Sequence, residues 1–277
     1  MGRIQGKLYL LGAFSLAGTS VITGYILAMK LNSFLITSVS LGIVLICLLP
    51  FYEMKTVRTI CLLKKSDWIM ILLQAVFGIF LFRTFLLFGV RLTSTAEAGI
   101  LTGTTPAITS LLAFLFLKER FSATTAFGIG CTVMGIILLQ GINILSAQFS
   151  AQHVLGNALI ICAAASESTF NVISRKHKTR ALNDSAVQLH PMVQTLLVSA
   201  IAFILSFIPA LCEHPLASMS ILVWKEWFAL VWYGLVVTAL AFVFFYEGVK
   251  RCDAYTTAAF SGMIPLTSML LSLLTDC

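Results

Sequence analysis

Nine apolar stretches follow one another along this chain, and basic residues gather at every second gap between them. Each stretch approaches or exceeds the roughly 20 apolar residues a helix needs to cross the hydrocarbon core. They are Leu8–Met29, Phe34–Phe51, Trp68–Phe88, Ala96–Leu117, Thr124–Leu145, Val154–Ile173, Val187–Leu211, Trp227–Tyr246 and Ala254–Leu274. The runs are continuous and do not alternate with a period of two, so helices are expected and a β-barrel is not. Composition excludes a water-soluble domain. The chain is 59% hydrophobic and 10% charged, whereas a soluble domain carries about a quarter charged residues. The expected class is an all-α polytopic membrane protein.

The gaps give an orientation. With the N-terminus in the cytoplasm, that side holds 14 basic residues: Arg3, Lys7, Lys55, Arg58, Lys64, Lys65, Lys118, Arg120, Arg175, Lys176, Lys178, Arg180, Lys250 and Arg251. The other side holds only Lys30, Arg91 and Lys225, and Arg83 lies within a span. This asymmetry is the positive-inside pattern. It also accounts for the net charge of +7, which suits contact with anionic membrane lipid better than nucleic acid. A multi-pass protein of the plasma membrane, in a bacterium the inner membrane, is expected. The first stretch, at 22 residues, is too long for a signal-peptide core. The seven cysteines contain no C-x-x-C pair and read as packing residues, with no metal site and no disulfide framework. His177, in a basic loop, is expected to be solvated.

An internal repeat organises the spans. Shifted by 159 residues, 85–115 aligns without a gap to 244–274, with eight of 31 positions identical. Gly89-Val90 meets Gly248-Val249, and Gly103-x-x-Pro106 meets Gly262-x-x-Pro265. The first copy, residues 7–146, holds five spans. Five is odd, so the second copy, 154–277, enters from the opposite side, which makes an inverted repeat of five-helix units. A full second copy needs a tenth helix near 283–304. On this reading nine transmembrane helices are present and the tenth is missing, as in a truncated product. The ninth helix then presents an unpartnered face bearing Ser261, Ser268 and Ser272, which pairing into a homodimer would cover.

The segments TSTAEAGILTGTTPAITSLLAFLFLKERFS (93–122) and TAFGIGCTVMGIILLQG (125–141) resemble an EamA-type transporter of the drug/metabolite transporter superfamily. FFYEGVKRCDAYTTAAFSGMIPLTSMLL (244–271) is the second-copy counterpart. The resemblance covers essentially the whole chain and implies ten helices and export of metabolites. It departs at TDC (275–277), where the first copy has FLK.

Charges inside spans cost a few kcal/mol on insertion scales and mark candidate sites. Arg83 reads either as a bidentate site for an anionic or carboxylate-bearing substrate, or as a structural partner of a buried carboxylate or a snorkelling side chain. Glu167 heads a polar stripe with Asn171 and Ser174 at i, i+4 and i+7. It reads as a substrate or proton-coupling group, with neighbouring Ala163 and Ala164 as a packing surface. Where many relatives carry an aromatic near this position, a carboxylate suggests a subgroup. Glu97, in Ser94-Thr95-Ala96-Glu97, reads foremost as a capping box. Glu247 reads as a partner of Lys250 and Arg251. Thr102, Thr105 and Thr109 share one helix face, and Pro106 removes the hydrogen bond to carbonyl 102. They read as a cavity wall with a hinge, or as packing hydroxyls. Gly103, Pro106, Gly262 and Pro265 form the expected gating element. Gln74 and Gln194 are weaker polar candidates.

No P-loop, HExxH or loop carboxylate pair is present, so no enzyme, no cofactor and no ATP-driven pump is expected. The resulting expectation is a secondary transporter working by alternating access, exporting a small metabolite or amino-acid-like compound. Alternatives are a multidrug exporter, which favours an aromatic, weakly polar cavity, and a non-transporting truncated membrane subunit or pseudogene product.

Overall fold

The computed structural model describes residues 2–117, 151–183, 189–213 and 215–275, with isolated positions at 127, 130, 131 and 134. The described residues are helical throughout their regular structure. The order is α1 (Gly2–Ala28), α2 (Ser33–Leu62), α3 (Lys65–Ala75), a π-helical segment (Val76–Leu81), α4 (Phe82–Leu92), α5 (Thr95–Thr102) and α6 (Thr105–Leu117). Then come α7 (Ala151–Asn183), α8 (Pro191–Leu211), α9 (Pro215–Ser220), α10 (Trp224–Val231), a second π-helical segment (Trp232–Leu240), α11 (Ala241–Val249), α12 (Ala254–Ser261) and α13 (Met263–Thr275). Six helical rods among the described residues are both long and apolar enough to cross a membrane: Ile4–Ala28, Ser33–Leu62, Lys65–Leu92, Glu97–Leu117, Pro191–Leu211 and Trp224–Val249. The chain is a polytopic membrane protein. The expected fifth span, Thr124–Leu145, lies outside the described residues apart from those four isolated positions.

Two helices run well past their apolar stretches. The second continues from Phe51 to Leu62, through Lys55 and Arg58, and the seventh continues from Ile173 to Asn183. Apolarity marks where lipid ends, whereas a helix ends only where its backbone is stopped or capped. The expected gaps at 52–67 and 174–186 are therefore helical over 52–62, 65–67 and 174–183.

The elements of the two halves recur 159 residues apart. α3 starts at Lys65 and α10 at Trp224. The third residue of each, Asp67 and Glu226, accepts a hydrogen bond from the backbone N–H of Lys64 (3.1 Å) and Val223 (2.9 Å). α4 and α11 start at Phe82 and Ala241, each directly after a π-helical segment, and α5 and α12 span corresponding residues. Their N-caps correspond as well. Ser94 Oγ accepts from Glu97 N at 3.1 Å, and Asp253 Oδ1 accepts from Thr256 N at 2.7 Å. Both helices break at a glycine in right-handed geometry, Gly103 and Gly262, before α6 and α13 resume. Pro106 then sits in the first turn of α6, where a missing N–H costs nothing.

Packing exchanges partners between the halves. α4 lies on α7 and α11 on α1, while α5 lies on α13 and α12 on α6. Close crossings are made by glycine. A Cβ at Gly89 would lie 3.1 Å from the Gly156 carbonyl, and one at Gly248 would lie 3.2 Å from the Gly6 carbonyl. Without a hydrophobic drive between helices in lipid, such close backbone contact supplies the association energy.

One crossing gives a test. A Cβ at Gly234 would stand 2.5 Å from the Ser40 carbonyl oxygen, but one at Gly42 would make only an ordinary 3.6 Å contact with Phe203. Gly234→Ala should lower stability in detergent by about 1–3 kcal/mol because backbone must move. Gly42→Ala should be neutral or stabilising by up to about 1 kcal/mol, since alanine favours helix. Melting of the two purified variants against the parent checks the contrast. Equal melting temperatures for both would contradict the packing.

Candidate functional site

Between α1, the α4 rod, α7 and the α11 rod lies a cavity lined by Ala13, Phe14, Ala17, Ser20, Gly78, Phe82, Arg83, Glu167, Phe170, Asn171, Tyr233, Val237, Ala241, Phe242 and Phe245. Both halves contribute. Its free space is narrow, about 50 Å³, enough for a few water molecules. Six aromatic rings make most of the wall, and Ser20, Arg83, Glu167 and Asn171 are its non-aromatic polar groups.

Arg83 is 3% exposed, in the first turn of α4. Its Nη1 donates to Ser40 Oγ at 2.8 Å, and Nη2 donates to the Tyr233 carbonyl at 3.4 Å and to Thr238 Oγ1. The guanidinium also stacks over the Tyr233 ring, 4.3 Å from its centroid, a cation–π contact that gains strength away from water. The acceptors come from an irregular backbone. In the second π-helical segment the Thr238 hydroxyl donates back to the Tyr233 carbonyl at 2.8 Å, and the widened turn brings both oxygens toward Arg83. Among the described residues no carboxylate pairs with it. The structural pairing and the snorkelling allowed by the sequence are thus both replaced by neutral acceptors in the interior.

Glu167 lies on α7, 8% exposed, and its Oε2 accepts a long 3.4 Å hydrogen bond from Thr105 Oγ1. No cation is paired with it among the described residues. One turn on, Asn171 is 3% exposed, and among the described residues neither its Oδ1 nor its Nδ2 has a partner. A buried amide left unmade costs about 1–3 kcal/mol. Arg83, Glu167 and Asn171 therefore line one cavity, and the last two carry unspent hydrogen-bonding capacity among the described residues.

The remaining residues singled out by the sequence stand elsewhere. Thr102 Oγ1 donates into its own helix, to the Gly99 carbonyl at 2.6 Å, and does not line the cavity. Thr105 stands behind the cavity as the partner of Glu167, and its carbonyl accepts from Ser168 Oγ at 3.1 Å. The Gly-x-x-Pro segments meet each other. A Cβ at Gly103 would lie 3.6 Å from Pro265, and one at Gly262 would lie 3.9 Å from Pro106. Glu97 exceeds a cap: Ser94 does cap its N–H, but its carboxylate accepts from Thr93 Oγ1 (2.7 Å) and pairs with His153 (2.6 Å) on α7. Glu247 pairs with Lys250 and Arg251.

His177 corrects an expectation. It is 5% exposed, not solvated, because α7 carries it past the apolar stretch while still packed on the bundle. Its Nδ1 is 3.3 Å from Gln74 Nε2, and its Nε2 is 3.9 Å from Asp67. Gln74 Oε1 also accepts from Gln194 Nε2 (2.8 Å) and the Tyr246 hydroxyl (3.0 Å). Ser40, Tyr233 and Thr238 were invisible in the sequence as partners of Arg83. The signal available was Thr238 as the one small hydroxyl of its span and Ser40 as one of three, with Thr37 and Ser38, in the other.

The fold and this interior site define a polytopic helical membrane protein with a polar centre, the class of a carrier. Residues 6–141 match the EamA-like transporter family. The "Uncharacterized transporter YetK" of Bacillus subtilis (strain 168) is 30% identical over 274 residues, covering 95% of this chain and 77% of that protein. The "Uncharacterized transporter YcxC" of the same organism is 27% identical over 221 residues, covering 75% of this chain and 65% of its own length. "Uncharacterized transporter YyaM", also from that strain, is 21% identical over 208 residues, and the chain spans 66% of it. A solved crystal structure shares the fold, with a TM-score of 0.69 over 99% of this chain and 89% of its own, at 22% identity. The chain belongs to the EamA-like transporter family. It is a membrane transporter and not an enzyme.

The Arg83 cage gives a test by double-mutant cycle. Thr238→Val removes one acceptor and should destabilise by about 1–3 kcal/mol. In an Arg83→Met background the same change should cost much less, because no buried charge remains to be served. Detergent melting of the four proteins measures the coupling, and strictly additive losses would show that the contact carries no energy.

Proposed function

We propose that this chain is a secondary exporter that moves a small amino-acid-like compound by alternating access between two inverted halves. The observation that carries the reading is the shared cavity: a caged guanidinium, a carboxylate with no paired cation and an amide with no hydrogen-bond partner among the described residues. A zwitterion supplies what these groups lack. Its carboxylate takes the remaining N–H donors of Arg83, its ammonium takes Glu167, and Asn171 can serve either end. The six aromatic rings take the apolar part. Helices of both halves line the cavity, so a rocking of one half against the other would open it to alternate sides. The exchanged packing and the caps 159 residues apart support two halves related by a two-fold axis. The odd number of spans in the first half supports inversion. In this proposal the glycine breaks at 103 and 262, each against the other half's proline, are hinges. The plasma membrane is the site of action, with the N-terminus in the cytoplasm.

The aromatic wall favours one other reading, a multidrug exporter of bulky apolar cations. The two separate on Arg83. Arg83→Met should abolish efflux of amino-acid-like substrates from vesicles, with membrane insertion intact. Glu167→Gln should lower it at least about tenfold, the loss of one charge-assisted hydrogen bond. If Arg83→Met leaves such efflux unchanged, the substrate reading fails. If it also raises efflux of apolar dyes, the multidrug reading replaces it.

Orientation is tested separately. In a cysteine-free background, Lys55→Cys and Lys176→Cys, both exposed, should resist impermeant thiol reagent in intact cells, while exposed Lys225→Cys should react. The reverse pattern would place the N-terminus outside.

A further inference from the structure

At the end of the bundle where the chain begins, α1, α7 and the turn from α11 to α12 enclose a second, polar pocket of about 280 Å³. Its walls carry four cations, Lys7, Arg175, Lys178 and Arg251, against one carboxylate, Asp253. These groups are held in place by backbone. Arg175 Nη1 donates to the Cys252 carbonyl at 2.6 Å, and Lys178 Nζ donates to the Val249 carbonyl at 2.8 Å and to that of Lys250. Arg251 donates to the Glu247 carbonyl at 2.7 Å and pairs with its carboxylate. Asp253 is engaged as the cap of α12. Four cations are thus oriented into one concavity, an arrangement that like-charge repulsion disfavours and an added anion would relieve. Burial and then the neighbouring Arg175, with Arg251 and Lys250, push the Lys178 ammonium down to about 8.

The corresponding place in the first half shows what such a pocket takes. Thr93, Ser94 and Glu97 stand 159 residues before Cys252, Asp253 and Thr256. α7 crosses there as α1 crosses here: a Cβ at Gly156 would meet Leu92 and Thr93, and one at Gly6 would meet Arg251 and Cys252. In the first half the Glu97 carboxylate fills the spot, bound by Thr93 Oγ1 at 2.7 Å and His153 Nε2 at 2.6 Å, with Asn157 beside it, 2.7 Å from Thr93. In the second half Thr256 stands at the position of Glu97. Lys7 stands where Asn157 does, in the register that pairs Gly6 with Gly156. The carboxylate is gone and cations surround its place.

We propose that this pocket binds a phosphate-class anion, free phosphate or a phospholipid headgroup, in the place that the Glu97 carboxylate fills in the first half. Guanidinium and ammonium donors are the groups that recognise phosphate oxygens. Such an anion would tie α1 to α7 and α11, closing this end of the bundle as the Glu97–His153 pair ties α5 to α7 at the other. The inference does not depend on which compound is exported.

The test is a binding measurement on the 277-residue chain. Delipidated protein in neutral detergent is titrated with inorganic phosphate against chloride at matched ionic strength. The same protein is reconstituted in phosphatidylcholine discs with and without phosphatidylglycerol. The proposal expects a rise in melting temperature in at least one arm. A rise with phosphate identifies a free anion, and a rise only with phosphatidylglycerol identifies a headgroup. The Lys7→Gln/Lys178→Gln variant should bind about tenfold more weakly or less. Lys55→Gln/Arg58→Gln, which removes two exposed cations on α2 at the same end, should bind as the parent does. Lys7→Gln alone changes an exposed side chain, so it should fold normally and still show a several-fold loss. No rise in either arm, or equal losses from the pocket and α2 variants, would overturn the proposal.

Discussion

Within hydrocarbon every backbone N–H and C=O must find a partner inside the protein, so irregular backbone survives only where protein surrounds it. The irregular backbone within these helical rods obeys that constraint. The two π-helical segments, Val76–Leu81 and Trp232–Leu240, contribute Gly78, Tyr233 and Val237 to the central cavity. The two glycine breaks meet the prolines of the opposite half. The deviations that cost energy are therefore at the contact between halves, and the site is made from them. The Tyr233 carbonyl serves both Thr238 and Arg83 because a π-helical turn brings them together, a use of the π-bulge seen widely at functional positions. Regular helices in the same places would leave the guanidinium without two of its acceptors.

The halves share a backbone but not a chemistry. The position of Arg83 in the first half is Phe242 in the second, and that of Gln74 is Tyr233. A symmetric frame thus carries an asymmetric centre, cationic on one side and aromatic on the other, with Glu167 and Asn171 supplied by α7. The same division appears at the ends. One end is held by an internal carboxylate–imidazole pair, Glu97 with His153, and the other gathers Lys7, Arg175, Lys178 and Arg251.

The fold was legible because its strongest signal is periodic and long. Apolar runs of helical length need no tertiary knowledge, and the 159-residue offset could be found from Gly103-x-x-Pro106 and Gly262-x-x-Pro265 alone. Helix ends were less legible, since Lys55 and Arg58 look like a loop by charge but lie on α2. Arg83, Glu167 and Asn171 were legible by expense, because a charge or amide inside an apolar run demands a reason. Their partners were not. Ser40 and Thr238 are small hydroxyls of a kind that pack helices everywhere in membranes, and only their distance to Arg83 distinguishes them. Thr102 shows the converse: its place on a polar face suggested the cavity, yet its hydroxyl turns back to Gly99, the local bond always open to a threonine in a helix. His177 was misjudged for a related reason, since the charge around it in sequence says nothing about the Gln74 and Asp67 that α3 brings to it in space.

The Arg83 cage also constrains what a substrate must do. Neutral acceptors satisfy part of the guanidinium but leave its charge unbalanced among the described residues, an electrostatic cost that an anion beside it would relieve. A full ion pair with Glu167 would remove that cost in advance and leave little to gain from binding. The two charges line one cavity, each held by hydroxyls and not by the other, and on the proposed reading both remain available for recognition. The glycine crossings offset this cost by close backbone contact, both at the ends of the bundle and, at Gly234 against Ser40, beside the site itself. The crossings of Gly6 with Gly248 and Gly89 with Gly156 lie toward the ends of the bundle, whereas that of Gly234 with Ser40 stands beside the Arg83 cage.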